Sequence, residues 1–356
     1  MFKKRAPLPD NAPSETEAKL AELLKLVDGQ GHPNISELWR IAKDIEGIKL
    51  NLKLFGYELA RDLRAAKPAR VVAKPPRVGL ASKACTQADM DADWVAHWAG
   101  RLGIAVIYHR KIWEYCYLLQ ALHEHGHLKE GVRGIGFGCG EEPIPSFLAA
   151  LGCRVTMTDL APSEAADKGW VTTNQHTSSL EKGHHQHLVA RETFLERVSL
   201  EYVDMNAIPA TLAGYDFCWS LCCLEHLGSI KKGLDFIENS LATLRPGGLA
   251  VHTTEFNFLN DAETIDNWAT VLFQKRHFEE ISERLTAKGH KVARLNFDIG
   301  ASPMDRFIDL PPYEHDLSGA ALRWANGTQH LKLMLDGFAS TCFGIIVTKA
   351  DSGAVA

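Results

Sequence analysis

Four glycines, at 134, 136, 138 and 140, close a short apolar run and are followed by Glu141, Glu142 and Pro143. A helix-like segment runs from Ile144 to Leu151, and a strand-like one from Arg154 to Thr158 ends on Asp159. Strand, glycine loop, helix, strand, acid is the first half of a nucleotide-binding α/β unit. Glycines let the backbone pass close to a ligand, and the helix start offers free N–H groups. Asp159 falls 21 residues beyond Gly138, near the spacing of roughly 20 expected of an acid that binds ribose hydroxyls.

The glycine pattern separates two cofactors. A dinucleotide site reads G-x-G-x-x-G, which fits a pyrophosphate to the helix start. Gly136-Phe-Gly138-Cys-Gly140 reads G-x-G-x-G and leads into two glutamates. Two carboxylates would repel a pyrophosphate but suit the sulfonium and amino groups of S-adenosylmethionine.

The elements that must position these residues follow in chain order. Residues 1–79 form an N-terminal helical region with a proline-rich linker over 67–79; residues 80–130 are a helical lead-in that covers the cofactor site; residues 131–350 are the binding domain. Within the first, Asn34 reads as an N-cap with Glu37 three residues on. Leu38, Ile41, Ile45, Ile48, Leu52, Phe55 and Leu59 then alternate in steps of three and four, a heptad seam. One reading is a helix packed on its own domain, the other a homodimer contact through residues 34–60. The lead-in is rich in aromatics; Trp94, Trp98, Trp113, Tyr115 and Tyr117 read mainly as core, with one or two covering the cofactor, and His109, Arg110 and Lys111 are grouped beside them.

Strand three spans 199–203 and leads to Asp204-Met205-Asn206; strand four spans 215–220, followed by Leu221 and by Leu224-Glu225-His226; strand five spans 249–255 and ends on Glu255. The stretch between Asp159 and strand three is longer than a crossover needs and reads as an insertion at the cleft. A strand over 291–297 and a last one over 341–349 make the chain's end strand-rich. The fold class is α/β: a mostly parallel sheet with an antiparallel edge.

Gly136-Phe-Gly-Cys-Gly140, Asp159, Asp204-Met-Asn206, Leu224-Glu-His226 and Leu244-Arg-Pro-Gly-Gly248 occur in one order. This set resembles the class I S-adenosylmethionine-dependent methyltransferases, particularly the group with a Leu-Glu-His turn after strand four, over residues 131–350. The resemblance implies a Rossmann-like seven-stranded sheet with an antiparallel final strand. It implies that Gly136, Gly138 and Gly140 face the methionine part of the cofactor, that Asp159 and the adjoining Leu160 meet the ribose, and that Asp204 and Met205 hold the adenine. Ser220 and Leu221 would line the floor under the sulfonium. The family's acid two residues before Gly138 is Gly136 in this chain, so Glu141 or Glu142 is the expected substitute. Trp219-Ser, Leu224-Glu-His-Leu-Gly228 and His252-Thr-Thr-Glu-Phe256 also resemble bacterial methyltransferases found near glycan and cell-envelope enzymes, which implies a small-molecule or sugar-like acceptor.

Methyl transfer to oxygen gains from a general base. His226 is the candidate, with Glu225 or Glu255 orienting it or the acceptor; equally, Glu225 caps the next helix and His226 packs in a loop. His176, Tyr313, His330 and Lys332 are secondary candidates. Two rival functions remain: a nicotinamide-dependent oxidoreductase, which predicts the absent G-x-G-x-x-G, and a non-catalytic cofactor-binding scaffold with a dimerising helix. A net charge of −5 gives no reason to expect nucleic-acid binding. No stretch is long enough to span a bilayer. Eight cysteines without a C-x-x-C pair read as reduced thiols of a cytoplasmic protein. No metal site is expected, since the His123–His127 tract lacks a recognisable ligand partner and the 184–187 histidines read as a solvated loop.

Overall fold

A computed structural model describes residues 14–68, 70–162 and 176–351. Its sheet carries the parallel order β4-β3-β2-β5-β6, from strands β2 (Arg133–Phe137), β3 (Arg154–Asp159), β4 (Val198–Tyr202), β5 (Tyr215–Leu221) and β6 (Leu244–Asn257). The long β11 (Phe338–Thr348) lies antiparallel on β6, in register from Ser340 opposite Asn257 to Thr348 opposite Leu249. This is a Rossmann-like α/β sheet with an antiparallel final strand.

The far edge of β11 differs from the sequence expectation. The strand expected over 291–297 is two short pieces, β7 (Lys291–Val292) and β8 (Leu295–Asn296). Between β8 and β11 lies β1 (Ser82–Ala84), with Lys83 opposite Gly344 and Ala84 opposite Phe343. Ser82 fixes this wedge: its hydroxyl accepts from Ile346 N at 3.0 Å and its own N–H donates to Arg294 O at 3.1 Å. The segment ahead of the glycine loop thus supplies a strand to the sheet. A hairpin partner, β10 (Lys332–Leu335), lies on the other end of β11 and pairs with β9 (Ile308–Asp309).

Both faces are covered, as parallel strands require. Alternation along β11 sends Cys342 and Ile346 to one face, and Phe343, Ile345 and Val347 to the other. On the first face pack the helices Asp93–Leu102 and Arg110–Glu124, with Trp94, Trp98, Trp113 and Tyr117 buried. Burying rings of this size contributes about 1.5–3 kcal/mol each by area. On the second face, Phe236, Phe278 and Phe343 form an aromatic layer in which Phe278 stacks on Phe343 at 4.1 Å.

The N-terminal helix Ile35–Ala65 starts at Asn34, whose side chain accepts from Glu37 N at 3.2 Å. Lys53, Gly56, Tyr57 and Ala60 are its buried residues, one face at helical spacing. The heptad positions are elsewhere: Ile48, Leu52 and Phe55 are 58%, 53% and 75% exposed. The seam is therefore not the face that packs on the body. Among the described residues no helix is long and apolar enough to cross a membrane.

Candidate active site

Strands β2 and β5 are neighbours whose onward connections run to opposite sides of the sheet. Their carboxyl ends define the topological switch point, where α/β sheets bind ligands. A cavity of about 790 Å³ opens there, large enough for a nucleoside cofactor and a second small molecule.

One half is built from the β2 loop and the ends of β3 and β4. Gly138 takes φ +60°, and a Cβ on it would lie 2.8 Å from Cys223 Sγ, so the turn needs glycine. Asp159 is buried, and its carboxylate accepts from the backbone N–H of Gly140 at 3.1 Å, Thr177 at 3.0 Å and Leu160 at 2.9 Å. Burial raises its pKa above the ordinary value, against the pull of those N–H groups. Asp204 Oδ1 caps a turn by accepting from Asn206 N at 2.8 Å, and Asp204, Met205, Gly140 and Leu160 all belong to the cavity wall. His176, the described end of the insertion, sits beside Asp159 with Nε2 2.8 Å from Leu160 O. The rest of the Gly169–His176 stretch expected at the cleft lies outside the described residues.

Gly136 is not in the wall. It lies in the strand, where a Cβ would meet the Trp219 ring at 2.3 Å. Trp219 fills the space that the expected acid would need, and its indole N–H donates to Glu142 Oε1 at 2.7 Å. Of the two candidate replacements, Glu142 is the buried one; Glu141 is exposed and pairs with Lys182 at 3.1 Å. Burial pushes the Glu142 carboxyl up to about 8. Leu221 lines the cavity, and Lys111 Nζ donates to its carbonyl at 2.9 Å. Ser220 faces the other way. Its hydroxyl lies 2.8 Å from His252 Nδ1, and Ser240 is 3.1 Å from His252 Nε2, in a buried network behind the floor.

The other half is rich in acids and bases. Glu225, His226 and Glu255 all reach the wall, as their positions at strand ends predict. Glu225 accepts from Thr254 at 3.0 Å, and burial, with Glu255 close by, pushes its pKa up to about 8. Glu255 is paired with Arg110 and accepts from Ser340 at 2.6 Å. His226 Nδ1 is 3.1 Å from the Ala269 carbonyl, and burial lowers its pKa, which keeps the ring neutral. His109, Arg110, Lys111, Glu114 and Tyr115 join from the helix that starts at Arg110. Their clustering was visible in the sequence, but not that they face the switch point. Tyr313 and His330 also line the cavity, whereas Lys332 points away to Ile299 O at 2.8 Å.

Behind His330 stands a buried group with no counterpart in the sequence motifs. Asp309 Oδ2 accepts from His330 Nδ1 and from Tyr57 Oη, each at 2.8 Å, and Oδ1 meets Lys53 Nζ and the Leu310 N–H. Burial acts to raise the Asp309 pKa, but His330 and Lys53 hold it below its ordinary value. Lys53 and Tyr57, four residues apart, share one helix face, but nothing in the sequence ties that face to Asp309.

Two overlapping trios, Glu114–Cys222–Cys342 and Cys222–Glu225–Glu255, place metal-type ligand atoms within 4.8 Å of one another. Arg110 and Lys111 already pair with Glu255 and Glu114, and Glu225 favours its protonated form, so the negative charge that would hold a cation is spent.

No family model and no curated protein matches the chain. Solved structures of similar shape include the cyclase SpnF, with 17% identity over 66% of this chain and 81% of that one, at a TM-score of 0.41. Phosphoethanolamine N-methyltransferase 2 of Haemonchus contortus, in complex with S-adenosyl-L-methionine, is 16% identical over 65% of this chain and 52% of its own, at 0.38. An S-adenosylmethionine-dependent methyltransferase of Mesorhizobium loti is 10% identical over 64% and 96%, at 0.36. The fold assignment rests on strand order and register rather than on these similarities.

Proposed function

We propose that this chain is an S-adenosylmethionine-dependent methyltransferase that acts at oxygen on a small-molecule or sugar-like acceptor. The observation that carries this reading is the Glu142 carboxyl, buried at the glycine loop of a switch-point cavity. A buried carboxyl that ionises beside a cation, and would repel a pyrophosphate once ionised, favours the sulfonium cofactor and disfavours the nicotinamide alternative. The donor set fits the cofactor: Gly138 and Gly140 shape the loop, Gly136 makes room in β2 for Trp219, and Glu142 stands in place of the acid missing at Gly136. Asp159, with Leu160 beside it, takes the ribose. Asp204 and Met205 take the adenine. Leu221 forms the floor, with Ser220 supporting it from behind. When bound, the cofactor supplies an electrophilic methyl group.

The chain's own residues position and deprotonate the acceptor. Two molecules held side by side in one cavity gain much of the rate from orientation alone. Glu225 and Glu255 orient groups on the acceptor wall, Glu225 as a proton donor near neutral pH. His226, held by Ala269 through Nδ1, presents a neutral ring to that wall. The enzyme works in a bacterial cytoplasm, on an acceptor of the glycan type, as a homodimer through residues 34–60. The dimer is parallel: with Leu38, Ile45, Leu52 and Leu59 at one set of seam positions, Asp44 and Lys49 fall at the flanking positions that face each other between parallel strands. An antiparallel pairing would instead oppose Glu37, Asp44 and Glu58 to one another.

Calorimetric titration with S-adenosylmethionine and NAD in parallel, on wild type and Asp159→Ala, tests the reading. Binding of the sulfonium compound alone, weakened by the substitution, is expected. Binding of NAD, or of neither, would overturn it.

A further inference from the structure

We infer that His330 is the general base for the acceptor hydroxyl, backed by Asp309 and completed from the N-terminal helix by Lys53 and Tyr57. This rests on the methyltransferase reading above. Five histidines line the cavity: His109, His176, His226, His315 and His330. His330 is buried and bonds a fully buried carboxylate, Asp309 Oδ2 at 2.8 Å from Nδ1. An ionised carboxylate accepts only, so the shared proton belongs to Nδ1 and Nε2 keeps its lone pair. That tautomer is the one a base needs, and the carboxylate stabilises the imidazolium that forms. His226 Nδ1 is met by the Ala269 carbonyl and, at 3.2 Å, by the Thr270 hydroxyl.

The surroundings keep His330 neutral until it is used. It is 6% exposed. The His109 ring stacks on it at 5.3 Å, the Tyr313 ring stands edge-on at 6.1 Å, and the Arg110 N–H donates to its carbonyl at 3.1 Å. Burial lowers its pKa, and Arg110 and Lys53 add to that, while Asp309 opposes them. Asp309 in turn is fixed from the far end of the chain. Lys53 and Tyr57 lie on the one face of the N-terminal helix that is buried, and both bond its carboxylate. The helix that carries the exposed seam thus also closes the acceptor end of the site.

The acceptor oxygen forms the new C–O bond as the methyl–sulfur bond breaks, the electron pair stays on sulfur, and the hydroxyl proton passes to His330 Nε2. That proton leaves to solvent once the product has gone.

The test uses the full chain with 15N-labelled histidine, together with His330→Gln and His330→Ala. Nitrogen NMR should show His330 protonated at Nδ1 and bare at Nε2 near neutral pH. Calorimetry should show S-adenosylmethionine bound equally by wild type and His330→Gln. Release of S-adenosylhomocysteine with methyl glucoside, glycerol and catechol as acceptors should fall on the order of 100-fold in His330→Gln. Free imidazole should restore part of the loss in His330→Ala, which a purely structural role would not allow. A proton on Nε2, undiminished turnover in His330→Gln, or a wild type that binds the cofactor yet methylates none of these hydroxyls would overturn the inference. Failure to bind the cofactor at all would remove the methyltransferase reading itself.

Discussion

The Trp219 indole donates to Glu142 at 2.7 Å while its ring closes the space beside Gly136. One side chain thereby accounts for two features of the loop. A large ring on β5 requires a glycine opposite it on β2, and the same ring holds the Glu142 carboxyl just after the loop. Glu142 lies six positions beyond Gly136, after the same strand.

Restoring an acid at its usual place should therefore harm the protein. Gly136→Asp would drive a side chain into a ring 2.3 Å from its Cβ. Overpacking of this kind costs about 1–3 kcal/mol, with a further penalty for the buried charge. A fall in the thermal midpoint, with no gain in S-adenosylmethionine affinity, is expected from calorimetry. A variant as stable as wild type would show that Trp219 is free to move aside.

Glu142 gives a pH dependence with a definite sign. Its carboxyl titrates near 4.5 in an unfolded chain and is pushed up to about 8 by burial in the fold. Between those values the folded state holds one proton more, so stability falls as pH rises through the interval. Glu142→Gln should remove one proton's share of that slope and be more stable than wild type above pH 8; Glu225, pushed up likewise, keeps its own share. A cation beside Glu142 favours its ionised form. Cofactor affinity should therefore strengthen with pH up to about 8, with proton release visible as a buffer-dependent heat. An affinity independent of pH in wild type would count against a cationic group at this position.

The parallel sheet, its antiparallel last strand and the cavity residues at the strand ends were legible in the sequence. Asp159 ends β3, and Asp204 and His226 lie in the loops after β4 and β5, where a residue has little choice but to face the switch point. Ser220 shows where this logic fails. It is one residue inside the strand rather than beyond it, so the two-residue alternation of the pleat sends it to His252 on the opposite face. The β1 wedge was illegible because three residues carry no periodicity. The Asp309 group was illegible for a different reason: Lys53 and Tyr57 lie more than 250 positions from their partner. Only packing of the N-terminal helix brings them together.

The exposed seam predicts association. Ile45 and Ile48 are 47% and 58% exposed, and neither is among the residues that anchor the helix to the body. Ile45→Lys with Ile48→Glu should leave the fold and cofactor binding intact and halve the mass seen by light scattering. An unchanged mass would end the dimer proposal. A monomeric wild type would do the same.

Lys53 and Asp309 are fully buried, and each depends on the other. Removing one partner strands a charge, which typically costs about 3–5 kcal/mol. Lys53→Met should lower the denaturant midpoint strongly. Asp309→Leu should do so as well, since it also orphans Tyr57 and His330. The double variant removes both charges and replaces them with apolar groups that pack. It should be less destabilised than the sum of the two single changes, because each single change already includes the penalty for the group left behind. The His330 tautomer separates stability from function in the same set. In Lys53→Met the carboxylate still faces Nδ1, so the ring should keep its Nδ1 proton, whereas the double variant should lose that preference. Additive destabilisation by the two substitutions would mean that Lys53 is not the charge partner of Asp309, and that the N-terminal helix does not govern the acceptor end of the cavity.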